Sequence, residues 1–200
     1  MEWTTFLDDL ILDWTDKSGL SKSVAVFYKI RNIPYMLYPD LMNSWQGTLD
    51  MVKRNCGSCS PKHILMARIF KNLNLEARLV TFPFLWHEQA ILYPDELNKL
   101  LPKLPISYHV ACQIRRDDQW LNVDATFDPP LKKGGFVMND WDGRNSTEVS
   151  LVCRGEIVHR VEEERIEYVA EMRKCIPEGQ KEIEATFHQK LNGWFRRLRA

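Results

Sequence analysis

The stretch Asn55-Cys56-Gly57-Ser58-Cys59-Ser60-Pro61-Lys62-His63 decides how the rest of the chain is read. Ser60 is a residue type that caps helices. Pro61 suits a first helical position, where its missing N–H would have no partner anyway. The residues that follow, Ile64, Leu65, Met66, Ala67, Ile69, Phe70 and Leu73, are apolar on nearly every side of a helical wheel. A helix that is apolar all round is buried. Cys59 is therefore expected immediately before the start of a buried helix. A thiol there meets backbone N–H groups and the positive end of the helix dipole, and both favour the thiolate.

Upstream of this block the spacing predicts three helices. Trp3, Phe6, Leu7, Leu10, Ile11 and Trp14 recur at helical intervals, and Lys22 to Arg31 forms a second segment that ends before Ile33-Pro34. A short third helix lies between Asn43 and Lys53, with Trp45, Leu49 and Val52. Downstream the pattern changes to strands at Ala77 to Phe84, Ser107 to Arg116 and Trp120 to Phe127, with one more strand or pair between 147 and 160. Ile183, Phe187, Leu191, Trp194, Phe195 and Leu198 then predict a C-terminal helix. Helices followed by an antiparallel sheet give an α+β fold class. No repeat or linker divides the chain, so a single domain over 1–200 is expected.

Arg116-Asp117-Asp118-Gln119 reads as the turn of a hairpin. A turn centred on Asp117 and Asp118 puts His109 opposite Thr126, with Asp124 one diagonal step away on the same face. Diagonal neighbours are ~7–8 Å apart at Cα, within reach of two polar side chains. His109 shares its face with Ala111 and Gln113, whereas Val110, Cys112 and Ile114 point to the apolar side. Cys59, His109 and Asp124 can thus act as nucleophile, base and orienting carboxylate. The histidine takes the thiol proton, and the aspartate fixes the imidazole tautomer through its other nitrogen.

Four blocks in this order resemble the transglutaminase-like superfamily, relatives of the papain-like cysteine proteases. Gly57-Ser58-Cys59-Ser60-Pro61-Lys62-His63 resembles the nucleophile block. Leu73-Asn74-Leu75-Glu76-Ala77-Arg78-Leu79-Val80 resembles its helix-to-strand continuation. Tyr108-His109-Val110 resembles the histidine strand, and Trp120-Leu121-Asn122-Val123-Asp124-Ala125-Thr126 the aspartate block. The resemblance covers about residues 20 to 130 and implies a catalytic core there. Residues 131–200 would be a strand-and-helix extension packed on it. It implies thiol-dependent acyl transfer or amide/ester hydrolysis through a thioester, acting on a peptide, a protein or a small amide or ester. It also implies an oxyanion donor, for which the Cys59 N–H is one choice and Gln46 or Trp45 a second. No calcium loop or extra β domain accompanies the blocks, and neither cofactor nor metal is expected.

Rival readings use the same residues. The fold can persist as a catalytically silent interaction module. Cys56-x-x-Cys59 matches a dithiol redox motif, although helical sequence rather than a strand precedes it. A zinc site would add His109 and Cys112, which strand parity sends to opposite faces. His63 is expected to face away as its helix descends, and His87 to lie on the surface. Trp45, Trp120 and Trp141 read as core, as do Cys112, Cys153 and Cys175. Cys56 reads as a packed thiol beside the site.

Composition narrows the partners. The 200 residues carry 27 basic and 27 acidic side chains, with 44% hydrophobic and 27% charged residues. That balance excludes a disordered chain, and zero net charge argues against bulk capture of nucleic acid. No run approaches the ~20 apolar residues of a membrane span. The acidic start lacks the features of a signal peptide, so a cytoplasmic protein with reduced thiols is expected. In the C-terminal helix the apolar positions are expected to dock, with Arg196, Arg197 and Arg199 left solvated.

Overall fold

The computed structural model describes residues 3–15 and 21–200. In it the buried helix, α4, runs Cys59–Asn72, with extended Ser58 ahead of it. Cys59 is thus the first helical residue, not the one before. Ser60 does not cap, because its hydroxyl is occupied elsewhere. It donates to Asn43 Oδ1 at 2.9 Å and accepts from Arg165 Nη1 at 3.0 Å. Pro61 still sits within the first turn, where N–H groups have no intrahelical partner, so it costs no bond. Every residue from Cys59 to Phe70 except Arg68 is buried.

Three helices precede it: α1 (Trp3–Thr15), α2 (Lys22–Asn32) and α3 (Trp45–Arg54). Leu7 and Ile11 of α1 enter the core. Met1, Glu2 and the side chains of Trp3 and Phe6 lie outside the described residues. Ser44 caps α3 by accepting from Gly47 N at 3.0 Å. Asn55, left-handed at φ 49°, ends it.

Four antiparallel strands form one sheet in the order β3-β2-β1-β4: β1 (Ala77–Phe84), β2 (Ser107–Arg116), β3 (Gln119–Val123) and β4 (Ile157–His159). Asp117 and Asp118 both adopt positive φ, 48° and 61°. A two-residue turn of that kind matches the twist of its strands. Cys112 faces Val123 across the ladder, the register expected from that turn. β3 is shorter than the expected Trp120 to Phe127, for a local reason. Asp124 N donates to Thr147 Oγ1, Ala125 N to His63 Nε2 and Thr126 N to Asp124 Oδ1. With three successive donors taken by side chains, the ladder cannot continue.

After the short α5 (Asp95–Asn98), the chain reaches α6 (Glu162–Lys174) and α7 (Glu178–Arg199). Nothing in the spacing foretold α6, whose buried residues are Glu162, Arg165 and Val169. Phe187, Leu191 and Phe195 of α7 are fully buried in the same core as α4 and the sheet. Of the arginines at its end, Arg196 and Arg197 are exposed as expected and Arg199 is half-buried. Arg199 binds Asp128 and Tyr35 O, Arg196 donates to Tyr38 Oη, and Arg197 pairs with Glu96. Trp141 is core as expected, but Trp45 and Trp120 are half-buried beneath the guanidinium groups of Arg68 and Arg78. Cys112 is buried and Cys153 half-buried, whereas Cys175 is exposed at the end of α6. Among the described residues, no helix is long and apolar enough to cross a membrane.

Candidate active site

The turn before α4 is held by backbone pairing with the segment after α2. Gly57 N donates to Pro34 O at 3.1 Å, and Met36 N to Gly57 O at 3.2 Å. A Cβ on Gly57 would stand 2.6 Å from Met51 Cγ, so only glycine permits this approach. The pairing lays Tyr35 beside Gly57 and brings its hydroxyl to the Cys59 thiol.

Asp124 lies beyond the end of β3, and its backbone turns the carboxylate inward. Oδ2 accepts from His109 Nε2 at 2.8 Å and from Ser150 N at 2.8 Å. Oδ1 accepts from Thr126 N at 3.1 Å and Thr126 Oγ1 at 2.5 Å. Four donors on one carboxylate favour the ion. Burial opposes that charge, but His109, then His63 and Thr126, outweigh it, and Asp124 titrates far below the usual carboxylate range. His109 responds in kind. Burial disfavours its charge, yet Asp124 and then Cys59 raise it to about 10.

The other ring nitrogen of His109, Nδ1, is buried and lacks a well-formed hydrogen bond. Cys59 nevertheless acts on it strongly, and the effect is mutual. Burial raises the Cys59 thiol, but His109, then Arg165 and the Val110 N–H, bring it below its usual value. Such contacts are often loose before substrate binds. The arrangement favours a thiolate beside an imidazolium, with a carboxylate behind it. Cys59 is 8% exposed, while His109 and Asp124 are fully buried.

His63 does not face away, as was expected. Position 63, one helical turn after Cys59, meets the chain just beyond the end of β3. His63 Nε2 accepts from Ala125 N at 2.9 Å, so Nδ1 carries the proton and donates to Cys59 O at 2.8 Å. Burial lowers this histidine to about 4, against the pull of Asp124, so it is neutral. Lys62, also fully buried, donates to Thr126 O at 2.7 Å and Arg31 O at 3.1 Å. It ties α4 to the segment that carries Asp124.

A cleft of about 70 Å³ opens over Cys59. Tyr35 and Leu37 form one side, and Phe84 and Tyr108 at the ends of β1 and β2 another. Helices α6 and α7 close it with Arg165, Val169, Arg173, Glu184 and His188. The spacing 165, 169, 173 sets one face of α6 on the cleft. Arg173 is neutralised there by Glu184 through two bonds, at 3.1 and 2.6 Å. Sequence reasoning missed Tyr35 and the whole α6 wall. A tyrosine after a proline is no signal by itself, and the α6 residues carry no apolar period.

Neither Gln46 nor Trp45 lines the cleft. Gln46 is exposed and donates to Asp50 Oδ1 at 3.2 Å, while the ring of Trp45 underlies Arg68. Both belong to α3, whose buried face is Gly47, Thr48, Leu49 and Met51. Cys56 is a free, half-buried thiol raised by burial, which leaves it the weaker nucleophile of the Cys56/Cys59 pair. Among the described residues, no group of three His, Cys, Asp or Glu side chains converges as a metal site would require.

No protein-family model matches the chain, and no curated protein matches it. Among solved structures it is similar to the crystal structure of "a putative cysteine protease" from Cytophaga hutchinsonii, at 20% identity and a TM-score of 0.43. The match covers 78% of this chain and 50% of that one, so the chain spans half of that structure's length.

Proposed function

We propose that the protein is a thiol-dependent acyl-transfer enzyme, a hydrolase or transferase of amides or esters, with Cys59 as nucleophile, His109 as acid–base and Asp124 as the orienting carboxylate. The observation that carries this is the 2.8 Å bond from His109 Nε2 to Asp124, which leaves Nδ1 for the thiol at the head of α4. In this reading residues 20–130 form a transglutaminase-like, papain-related core. Residues 131–200 are an extension whose helices wall the cleft. The substrate is a peptide, a protein or a small amide or ester.

The Cys59 thiolate attacks the carbonyl carbon and forms a C–S bond, moving charge onto the carbonyl oxygen. Two donors at the reacting sulfur can receive that oxyanion: the Cys59 N–H, unpaired in the first helical turn, and the Tyr35 hydroxyl. Tyr35 stays protonated, since burial and then the charges of Cys59 and Asp124 raise it well above its usual value. As the carbonyl re-forms, the leaving amine or alkoxide takes the proton of the His109 imidazolium. Water or an amine then attacks the thioester and gives its proton to neutral His109, and the thiolate departs.

The test is the pH dependence of iodoacetamide labelling at each cysteine, read by mass spectrometry. Cys59 should label below pH 7, where ordinary thiols of pKa ~8.5 are protonated. His109→Ala should abolish that advantage. A Cys59 that labels no faster than exposed Cys175 and ignores His109 refutes the reading and leaves a non-catalytic module.

A further inference from the structure

The acyl-transfer reading leaves one charged group of the cleft unused. Arg165 is 1% exposed and lines the cleft from α6. Its Nη1 donates to two neutral acceptors, Asn43 Oδ1 and Ser60 Oγ. Its Nε is buried without any acceptor. Among the described residues no carboxylate pairs with it, and Cys59 is the charge that acts on it. Arg173, two turns along the same face, has Glu184 as a bidentate partner. One arginine of the wall is balanced and the other is not.

A buried cation with neutral partners alone is unfavourable. The Cys59 thiolate balances Arg165 only in the free enzyme, because thioester formation consumes the charge on sulfur. In the acylated state no anion stands beside Arg165, and a carboxylate on the substrate supplies one. A guanidinium fork fits a carboxylate better than any neutral group of that size. The small volume of the cleft suits a group of a few atoms near the sulfur.

Resting on the acyl-transfer reading, we propose that Arg165 binds a carboxylate of the substrate next to the scissile carbonyl. The preferred substrates are then amides or peptides that carry an anionic group beside the bond that is cut. Two sources offer that group: an acidic side chain on the acyl part, or the free C-terminal carboxylate of the leaving amino acid.

Iodoacetate and iodoacetamide test this with one chemistry. In both, the thiolate forms an S–C bond as iodide leaves, and only the carboxylate differs. In wild type, iodoacetate should outpace iodoacetamide at Cys59 but not at exposed Cys175. Arg165 also lowers the Cys59 thiol, so Arg165→Gln slows both reagents, and the site is tested by their ratio, which should fall about tenfold, the size of one charged hydrogen bond. Arg165→Lys should retain part of the preference. If both reagents slow by the same factor, Arg165 serves only the thiolate and the proposal fails. An unchanged ratio also overturns it. Slow iodoacetamide labelling of wild-type Cys59 would instead refute the acyl-transfer reading itself.

A measurement without variants guards against misfolding. Glutarate should protect wild-type Cys59 from iodoacetamide saturably, and glutaramide should not; equal protection by the two refutes the site. Peptides with and without an acidic residue, each with a free or amidated C terminus, separate the two sources. Preference for either carboxylate supports the proposal, and equal turnover of all four overturns it.

Discussion

Arg199, in the last turn of α7, grips both carboxylate oxygens of Asp128, at 2.8 and 2.7 Å, although 71 residues separate them. Asp128 Oδ1 also accepts from Tyr35 N at 2.7 Å, and Arg199 donates to Tyr35 O at 2.9 Å. Two turns earlier, Asn192 bonds both the N–H and the C=O of Leu37, at 2.8 and 2.9 Å. The C-terminal helix therefore fixes the backbone that presents Tyr35 to the thiol. Arg199→Ala leaves the buried Asp128 carboxylate with a single donor. A loss of about 1–3 kcal/mol is expected. Urea unfolding checks it through the midpoint at constant slope.

Asp124→Asn should be far more damaging to turnover than to shape. The substituted amide keeps one oxygen for His109 but presents N–H₂ where Asp124 accepts from other donors. The charge that raises His109 disappears, so the imidazolium no longer holds the thiolate at low pH. Labelling of Cys59 below pH 7 should fall toward that of an ordinary thiol. Once a substrate is in hand, kcat should fall on the order of 10⁴-fold, the scale seen when an orienting carboxylate is neutralised. Equal turnover in the variant would remove Asp124 from the mechanism.

The same residues explain what could be read in advance. The Asp117-Asp118 turn sets the ladder register as far as Cys112 and Val123, and Asp124, one residue beyond it, reaches His109 through bonds of its own. The largely apolar run after His63 marks α4 as buried without reference to its neighbours. Other features depend on contacts that no local pattern records. Whether Ser58 or Ser60 precedes α4 is decided by Asn43 and Arg165, which claim the Ser60 hydroxyl. His63, one turn after Cys59, is held inward by its bonds to Cys59 O and Ala125 N. α3 turns Gln46 to water because Gly47 packs with its Cα face against Leu41, where a Cβ would stand 2.6 Å from a carbonyl oxygen. α6 buries arginine and glutamate rather than an apolar stripe, so its spacing carries no helical period of hydrophobicity.

His63 gives the fold an acid-sensitive element. Its folded pKa of about 4 lies below the ~6.5 of an unfolded histidine. Between those values the unfolded chain binds a proton that the folded one does not. Stability from His63 is therefore complete above pH 6.5 and is lost as pH falls toward 4, at up to about 1.4 kcal/mol per pH unit. Urea unfolding at several pH values across that window should show a steeper decline in wild type than in His63→Gln. Parallel slopes would assign the acid sensitivity to other groups.

Tyr35→Phe separates chemistry from packing at the thiol. The ring packs edge-on to Phe127 and Phe195, at centroid distances of 4.8 and 5.6 Å, and phenylalanine keeps those contacts. The hydroxyl is what faces Cys59. Thermal stability should therefore move by less than about 1 kcal/mol, as expected when a packed aromatic keeps its volume. The labelling profile of Cys59 should shift to higher pH, because the thiolate loses a donor. If the hydroxyl also receives the oxyanion, kcat should fall by about 10²-fold with KM little changed, since that contact is made only in the transition state. A purely structural tyrosine would show the reverse: a lowered melting temperature, an unmoved pH profile and full turnover.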